Sequence, residues 1–296
     1  MPVVHPDTRG SIKLEDASVL QHWHHDGEQH ILRLDAPQCA KHAVAGQFVH
    51  LQCDPALPLR RPLSIMRTNA AENWIDLLYK DVGHGTHLLA GRQPGDVISI
   101  LGPIGNRFEL SSERSIRVLI GGGVGIPPMI FLADTIASQY PHDLTTTLVI
   151  MGSEVPFPFE LQKSGINIDG IDKAIDSSLT LLEERGIASR LASLQDYNGC
   201  YRGYAPDLAS HYLSSLDAGQ LAQVEIYTCG PLPMLAATKR LANEFNVSCQ
   251  VSLEETMACG VGGCAGCVVE VNLPQGTAMK RVCVDGPVFD ARHISL

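Results

Sequence analysis

Hydrophobic and polar positions change rhythm twice along the chain. Up to about residue 112 the apolar residues come in short or alternating runs: QHILRLDA (29–36), QFVHLQC (47–53), WIDLLYK (74–80) and DVISILG (96–102). Alternation over four to eight residues is the period of a half-buried strand, and Pro- and Gly-bearing links separate the runs. The spacing predicts a small antiparallel barrel. Only THLLAG (86–91) reads as helical here, and it is too short to anchor a layer.

From about residue 115 the order becomes strand, glycine turn, helix. RVLIGG (117–122) reads as a buried strand, GVGIPP as a turn and MIFLADTIASQ (129–139) as a helix; TTLVIMGS (146–153) and VEIYTCG (224–230) are two more apolar strands. In PLPMLAATKRLANEF (231–245), Met234, Leu235, Thr238, Leu241, Ala242 and Phe245 share one helical face. Strands alternating with helices predict a parallel sheet, which takes ligands at the carboxyl ends of its strands. The last segment, 250–296, mixes glycine, cysteine and the short runs CVVEV and RVCV, and is too small to bury a core unaided. The predicted organisation is therefore 1–112, 113–249 and 250–296.

Composition narrows the class of partner. The 296 residues are 45% hydrophobic and 18% charged, ordinary for a globular chain, with a formal net charge of −10 at pH 7. The acidity is spread along the sequence and no basic run exists, which disfavours nucleic acid or an acidic membrane as partner. No stretch of ~18 apolar residues suggests a transmembrane helix. The N-terminus, MPVVHPDTRGSIKLED, has no apolar leader core, so a cytoplasmic location with reduced thiols is expected.

Nine cysteines are present, an odd number that disulfides alone cannot absorb. Cys39, Cys53, Cys200 and Cys249 read as reduced structural thiols. Cys259, Cys264, Cys267 and Cys283 follow C-x4-C-x2-C-x15-C. That is the plant-type [2Fe–2S] spacing, with three thiolates on one tight loop and a fourth from a later strand. Gly260, Gly262, Gly263 and Gly266 are expected to let the loop take positive φ and aim N–H groups at the sulfurs. Structural zinc, the alternative, usually uses paired knuckles.

GGGVGIPPM (121–129) follows a strand and opens a helix, where backbone N–H groups can receive a pyrophosphate. It does not satisfy G-x-G-x-x-G, and a tight turn without ligand is the other reading. Cys229-Gly230-Pro231 ends the last apolar strand; Cys229 faces the crevice there or is simply a small buried residue. In RRPLSI (60–65) a guanidinium able to grip phosphate precedes a hydroxyl, and LLYKDVGHGT (77–86) adds an aromatic, a lysine and a glycine-threonine pair. These suit a flavin dinucleotide laid across a barrel, and equally a surface arginine pair beside a turn.

Taken in order, RPLSI, LLYKDVGHGT, LIGGGVGIPPM, YTCGP and MACGVGGCAGCVV…RVCVDGPVFDA resemble the ferredoxin-reductase superfamily. More closely, they are similar to the electron-transfer subunits of the NAD-linked, heteromeric class 1B dihydroorotate dehydrogenases. The resemblance implies a β-barrel plus α/β fold: an antiparallel barrel binding FAD, a parallel-sheet domain binding NAD and a small C-terminal [2Fe–2S] lobe. It implies FAD contacts from Arg61, Pro62, Leu63, Ser64, Leu78, Tyr79, Lys80, Gly85 and Thr86. Gly121, Gly122, Gly123, Val124, Gly125, Gly230 and Pro231 would form the NAD face, with Cys229 beside the nicotinamide as the catalytic candidate. Cys259, Cys264, Cys267 and Cys283 would hold the cluster.

Two stretches depart from the family pattern: LQDYN (194–198) stands where a T-D-D-G-S-like run is usual, and Glu154 with VPFPFE follows TTLVIMGS. The implied activity is an oxidoreductase subunit in a heterotetramer. It would pass electrons from an FMN-containing catalytic subunit through the cluster and FAD to NAD+, in pyrimidine biosynthesis. Two alternatives stand beside it: a related FAD/[2Fe–2S] NAD(P)H oxidoreductase subunit of a bifurcating transhydrogenase or sulfhydrogenase-type complex, and a non-enzymatic redox sensor on the same fold. His22, His24 and His25, with His30 nearby, raise a metal site, but a solvated barrel strand accounts for them; His84 and His87 read as loop histidines.

Overall fold

The computed structural model describes Gly10 and residues 12–296. The stretch 1–9 and residue 11, on which the expectation about a leader partly rests, lie outside the described residues. The chain forms two compact units. The first comprises the residues up to Arg107 with Ser252–Phe289 and His293–Ser295; the second comprises Phe108–Val251, Asp290–Arg292 and Leu296. Among the described residues no helix is long and apolar enough to cross a membrane.

The first unit is built on a closed barrel of β1 (Lys13–His25), β2 (Gln29–Asp35), β3 (Phe48–Leu51), β4 (Arg61–Asn69), β5 (Trp74–Lys80) and β6 (Val97–Ile104), in the order β1-β2-β5-β4-β3-β6. Each paired edge within it is antiparallel. Alternation along β2 sends Leu32 and Leu34 inward opposite Leu77 and Ile75 of β5, and these four are fully buried, as are Ile65 and Ile100. Four of the six strands are the runs read from the sequence. β1 and β4 are additional: KLEDASVLQHWHH carries too many polar residues to stand out, and RPLSI draws attention as a motif rather than as a strand. Two short helices, α1 (Pro37–His42) and α2 (His84–Ala90), bridge the strands.

The second unit holds the parallel strands β7 (Ile116–Gly122) and β8 (Thr147–Gly152). A two-stranded excursion, β9 (Leu161–Lys163) with β10 (Ser177–Leu179), follows, and then the short helix α4 (Thr180–Glu183). The sheet resumes with β11 (Ala188–Ser193), β12 (Tyr201–Arg202), β13 (Val224–Cys229) and β14 (Ser248–Ser252), which run β12-β11-β8-β7-β13-β14. Every residue of β7, β11 and β13 is buried, the pattern of strands covered on both faces and the reason β7 and β13 read as apolar runs; β11, ASRLAS, carries two serines and an arginine and does not stand out in the sequence.

Helix α3 (Ile126–Gln139) packs on β7 and β13, and α5 (Ala205–Ser214) on β7, β8 and β11. After α6 (Ala218–Leu221), α7 (Leu232–Glu244) packs on β13 and α5. It buries Leu235, Thr238, Leu241 and Ala242, as its periodicity predicts.

The order of the sheet locates its crevice. From β7 the chain moves outward through β8 and β11 to β12, then returns to the other side of β7 with β13. A reversal of this kind opens a cleft at the carboxyl ends of the two central strands, where open α/β sheets bind ligands. Gly121–Gly125 and Cys229–Pro231 stand there.

In the C-terminal segment, β15 (Val268–Leu273) and β16 (Gly276–Arg281) form an antiparallel hairpin, followed by the one-turn helix α8 (Val282–Asp285). Asn106, just past β6, holds this lobe: its amide donates to the Val288 carbonyl at 3.0 Å and accepts from the Val288 N–H at 2.9 Å.

Candidate functional site

The four family-spaced cysteines lie in one lobe of the first unit. Cys259 and Cys264 are on the loop before β15, with Cys264 exposed; Cys267 and Cys283 are buried. Cys283 sits in α8, so the fourth thiol comes from a helical turn and not from a strand as expected. The loop is left-handed at Gly260, Gly262 and Ala265 (φ +69°, +81° and +54°), whereas Gly263 and Gly266 keep ordinary φ. Gly263 has open space around it, and Ala265 supplies the positive φ that glycine was expected to supply.

Backbone N–H groups point at the sulfurs, as such a cage needs. Gly266 N donates to Cys264 Sγ at 3.4 Å and Cys283 N to Cys267 Sγ at 3.5 Å. Desolvation pushes the Cys259 thiol up, but hydrogen bonds from the Val261, Cys264 and Gly263 backbone and the Cys264 side chain outweigh it and bring it down to about 7. Desolvation, together with hydrogen bonding to Cys267, pushes Cys283 up to about 12. Arg281 pins the loop by donating from Nη1 to the Gly262 carbonyl at 3.0 Å, while its backbone N–H is held by Asp285 at 2.8 Å. Four thiols with amides aimed at them fit an iron–sulfur cluster. None of the nine cysteines forms a disulfide.

One neighbour of this loop escapes sequence reading. His50, on β3 in the run QFVHLQC, is 1% exposed, and among the described residues neither ring nitrogen makes a well-formed hydrogen bond, although the Arg60, Met257 and Cys259 backbones stand close to it. Its Nδ1 lies 2.8 Å from where a Cβ on Gly260 would stand. Desolvation first, then the charge of Arg60, lowers its pKa. An isolated histidine in an apolar strand carries no signal of such placement.

On the barrel the two arginines of RRPLSI part. Arg60 is spent internally, donating to the Ser99 carbonyl at 2.7 Å, to Ser99 Oγ at 2.9 Å and to the His50 carbonyl at 3.2 Å. Arg61 turns the other way and lies against Gly85, its Nη2 3.1 Å from a Cβ built there. The motifs RPLSI and GHGT, remote in sequence, thus meet. Thr86 Oγ1 orders the turn by accepting from the N–H groups of Val82 and Gly83, both at 3.1 Å.

Pro62, Leu63 and Ser64 continue along β4, half-buried and paired with His50, Val49 and Phe48. Leu78 is buried and Lys80 half-exposed. Tyr79 is 1% exposed; its hydroxyl donates to His22 Nε2 at 2.9 Å and its ring stacks on His30 at 5.0 Å, so its side chain is committed within the unit. His84 and His87 are exposed, and His87 Nδ1 stands 3.0 Å from Asp81 Oδ2.

In the second unit the turns after β7 and β13 touch. A Cβ on Gly125 would overlap the Cys229 carbonyl and the Gly230 nitrogen; one on Gly122 would strike Met234; one on Gly121 would press on the Ile126 Cα at 3.0 Å. Chain packing therefore explains three of the four glycines. Gly123 is different: its φ is +54° and open space surrounds it, as it does where backbone is presented to a ligand. Val124 beside it is exposed. Pro127 and Pro128 stand in the first turn of α3, where N–H groups lack intrahelical partners. Cys229 is buried, and the wholly buried Thr228 hydroxyl before it has no hydrogen-bond partner among the described residues. Met234, which closes over Gly122 and Gly230, reads in the sequence only as a helix-face residue.

Comparison with known proteins gives matches in sequence and in fold. Residues 254–295 match the family described as the iron–sulfur cluster binding domain of dihydroorotate dehydrogenase B. The chain is 31% identical over 286 residues to the dihydroorotate dehydrogenase B (NAD(+)) electron transfer subunit of Desulforamulus reducens, covering 95% of this chain and 98% of that one. It is 34% identical to the protein of the same name from Bacillus caldolyticus, over 85% of this chain and 86% of that one.

Among solved structures, an NADH-dependent reduced ferredoxin-NADP oxidoreductase superposes with a TM-score of 0.72 at 22% identity, over 94% of this chain and 89% of that one. A ferredoxin NADP+ reductase from Neisseria gonorrhoeae superposes with a TM-score of 0.58 at 16% identity, over 79% and 92%. At those identities the likeness is one of fold, and it bears out the expected barrel and parallel-sheet architecture.

Proposed function

The chain belongs to the family of dihydroorotate dehydrogenase B electron-transfer subunits, and from that premise we propose which of its residues carry the activity. The protein is an oxidoreductase subunit with FAD and a [2Fe–2S] cluster, linked to NAD(H), and works with a catalytic subunit. It passes electrons from that subunit by way of the cluster and FAD to NAD+, in pyrimidine biosynthesis. The partner is proposed to be the FMN-containing subunit, the assembly a heterotetramer and the location cytoplasmic. When bound, the flavin supplies the exchange between one-electron and hydride chemistry, which neither an iron–sulfur cluster nor nicotinamide performs alone.

This chain's own residues bind and orient. Cys259, Cys264, Cys267 and Cys283 hold the cluster. Arg61 grips the flavin pyrophosphate together with the Gly85 and Thr86 backbone, and the Ser64 hydroxyl serves the ring end of strand β4. Pro62, Leu63, Leu78 and Lys80 line the same site, and Tyr79 supports it from beneath through its backbone. Gly121, Gly122, Gly123, Val124 and Gly125, with Gly230 and Pro231, shape the NAD face, and Cys229 lies at its floor. In functional terms 1–112 is the flavin domain, 113–249 the dinucleotide domain and 250–296 the cluster lobe.

The observation that supports this reading most is the four-thiol loop with its amide groups aimed at sulfur. The test is purification from the native host without oxygen, with identification of the co-eluting chain. Co-elution with an FMN protein that makes orotate in an NAD+-dependent reaction supports the assignment; co-elution with an iron–sulfur-rich large subunit overturns it.

A further inference from the structure

Three histidines to which no role is assigned above, two of them touching the Tyr79 side chain, converge on one face of the β1–β2 hairpin. His24 and His30 are direct cross-strand partners, and His22 lies two residues along β1 on the same side. One ring nitrogen from each falls in a group whose atoms all lie within 4.8 Å of one another. The Nδ1 atoms of His24 and His30 are 2.9 Å apart. The ring centroids of His22 and His24 are 4.6 Å apart, and those of His24 and His30 4.7 Å. A solvated strand does not explain this, because His30 is buried and His22 half-buried, leaving only His24 fully exposed.

The hydrogen bonding already assigns lone pairs. His22 Nδ1 donates to the Arg92 carbonyl at 2.9 Å, which fixes its tautomer and leaves Nε2 as the acceptor. Metal-bound histidines are usually oriented by this kind of bond from the other ring nitrogen to a backbone carbonyl. Tyr79 now donates to that Nε2 at 2.9 Å, and its hydroxyl is placed beside any ion held there. Between His24 and His30 a single proton can bridge the two facing nitrogens.

The geometry points to a divalent cation site of the zinc class formed by His22 Nε2, His24 Nδ1 and His30 Nδ1, with water as fourth ligand entering past His24. Imidazole donors without thiolate or carboxylate suit zinc and its borderline neighbours rather than calcium or magnesium. Tetrahedral zinc with bonds of about 2.0–2.1 Å needs nitrogens roughly 3.3 Å apart, so the close pair opens slightly and the wider ones contract by side-chain rotation. The ion would tie β1 to β2 above Tyr79. This inference is independent of the redox assignment.

Cobalt(II) alone is the probe, added anaerobically to the full chain with flavin and cluster in place after removal of adventitious metal. One cobalt per chain, with d–d absorption of a nitrogen and oxygen site and no thiolate charge-transfer band, is the expected result, and stoichiometric zinc displaces it. His24→Gln, at the exposed ligand, should weaken binding roughly 100-fold while flavin and cluster absorption stay unchanged; His30→Gln should do the same. Thiolate charge transfer, no binding up to about millimolar cobalt, or affinity undiminished in His24→Gln would each overturn the site.

Discussion

Gly125 lies against the carbonyl of Cys229 so closely that a single methyl group on it would overlap that carbonyl. The contact joins the turn after β7 to the turn after β13, the two segments flanking the reversal in strand order. Gly125→Ala must push them apart. Overpacking of this kind costs about 1–3 kcal/mol, and the displaced turns should raise the KM for NADH about tenfold. Gly123→Ala meets no neighbour and carries only the left-handed backbone cost, about 1–2 kcal/mol. Thermal melting and NADH titration of the two variants check this, and equal effects would deny the contact its role.

The cluster assignment separates two activities. Cys264 is the exposed member of the four thiols, so Cys264→Ser disturbs packing least. Iron and acid-labile sulfide should fall roughly tenfold or more per chain, because losing a hydrogen-bond partner of a ligand alone shifts metal retention about 10–100-fold and a ligand counts for more. NADH-dependent dye reduction, which needs only the flavin, should stay within about twofold, while NAD+-linked orotate formation with the partner falls by roughly 100-fold. Unchanged iron and sulfide would remove Cys264 from the ligand set.

What could be read from the sequence was what local chemistry encodes. The cysteine spacing specifies a loop whatever surrounds it, and β7, β8 and β13 read as buried because both their faces are covered. β1 escaped notice because Leu14 and Leu20 point outward among polar residues. α1 has only six residues, too few for helical period to register. The histidine convergence needs His30 brought back by the hairpin, and the seat of His50 under Gly260 needs β3 and the cluster loop packed together. The i, i+2 spacing of His22 and His24 raises the first of these in the sequence without deciding it, whereas the second belongs to tertiary structure alone and leaves no trace at sequence spacing.

Separation of the paired arginines gives opposite expectations for neighbouring substitutions. Arg61→Ala should weaken FAD binding about 10–100-fold with little change in barrel stability, and Arg61→Lys should recover only part of it, since a lysine lacks the planar fork. Arg60→Ala removes three hydrogen bonds to Ser99 and His50 and should cost about 2–3 kcal/mol of stability. Flavin released per chain on gel filtration, together with urea unfolding, distinguishes them. Reversal of the two phenotypes would place the pyrophosphate on Arg60.

His50 and Gly260 form a pair whose coupling can be measured. Gly260 is left-handed at φ +69°, and a Cβ there would stand 2.8 Å from His50 Nδ1. Gly260→Ala therefore carries two penalties: about 1–2 kcal/mol for the backbone and a second for the overlap. His50→Ala opens a cavity and costs stability by itself, but it removes the atom that the new methyl group strikes. In the double variant the overlap penalty should vanish while the backbone penalty remains, giving a coupling of about 0.5–3 kcal/mol. The rate of cluster loss to an iron chelator should follow the same order, fastest in Gly260→Ala and partly restored in the double variant. Strictly additive effects on both stability and cluster loss would show that the two residues do not share a contact in solution.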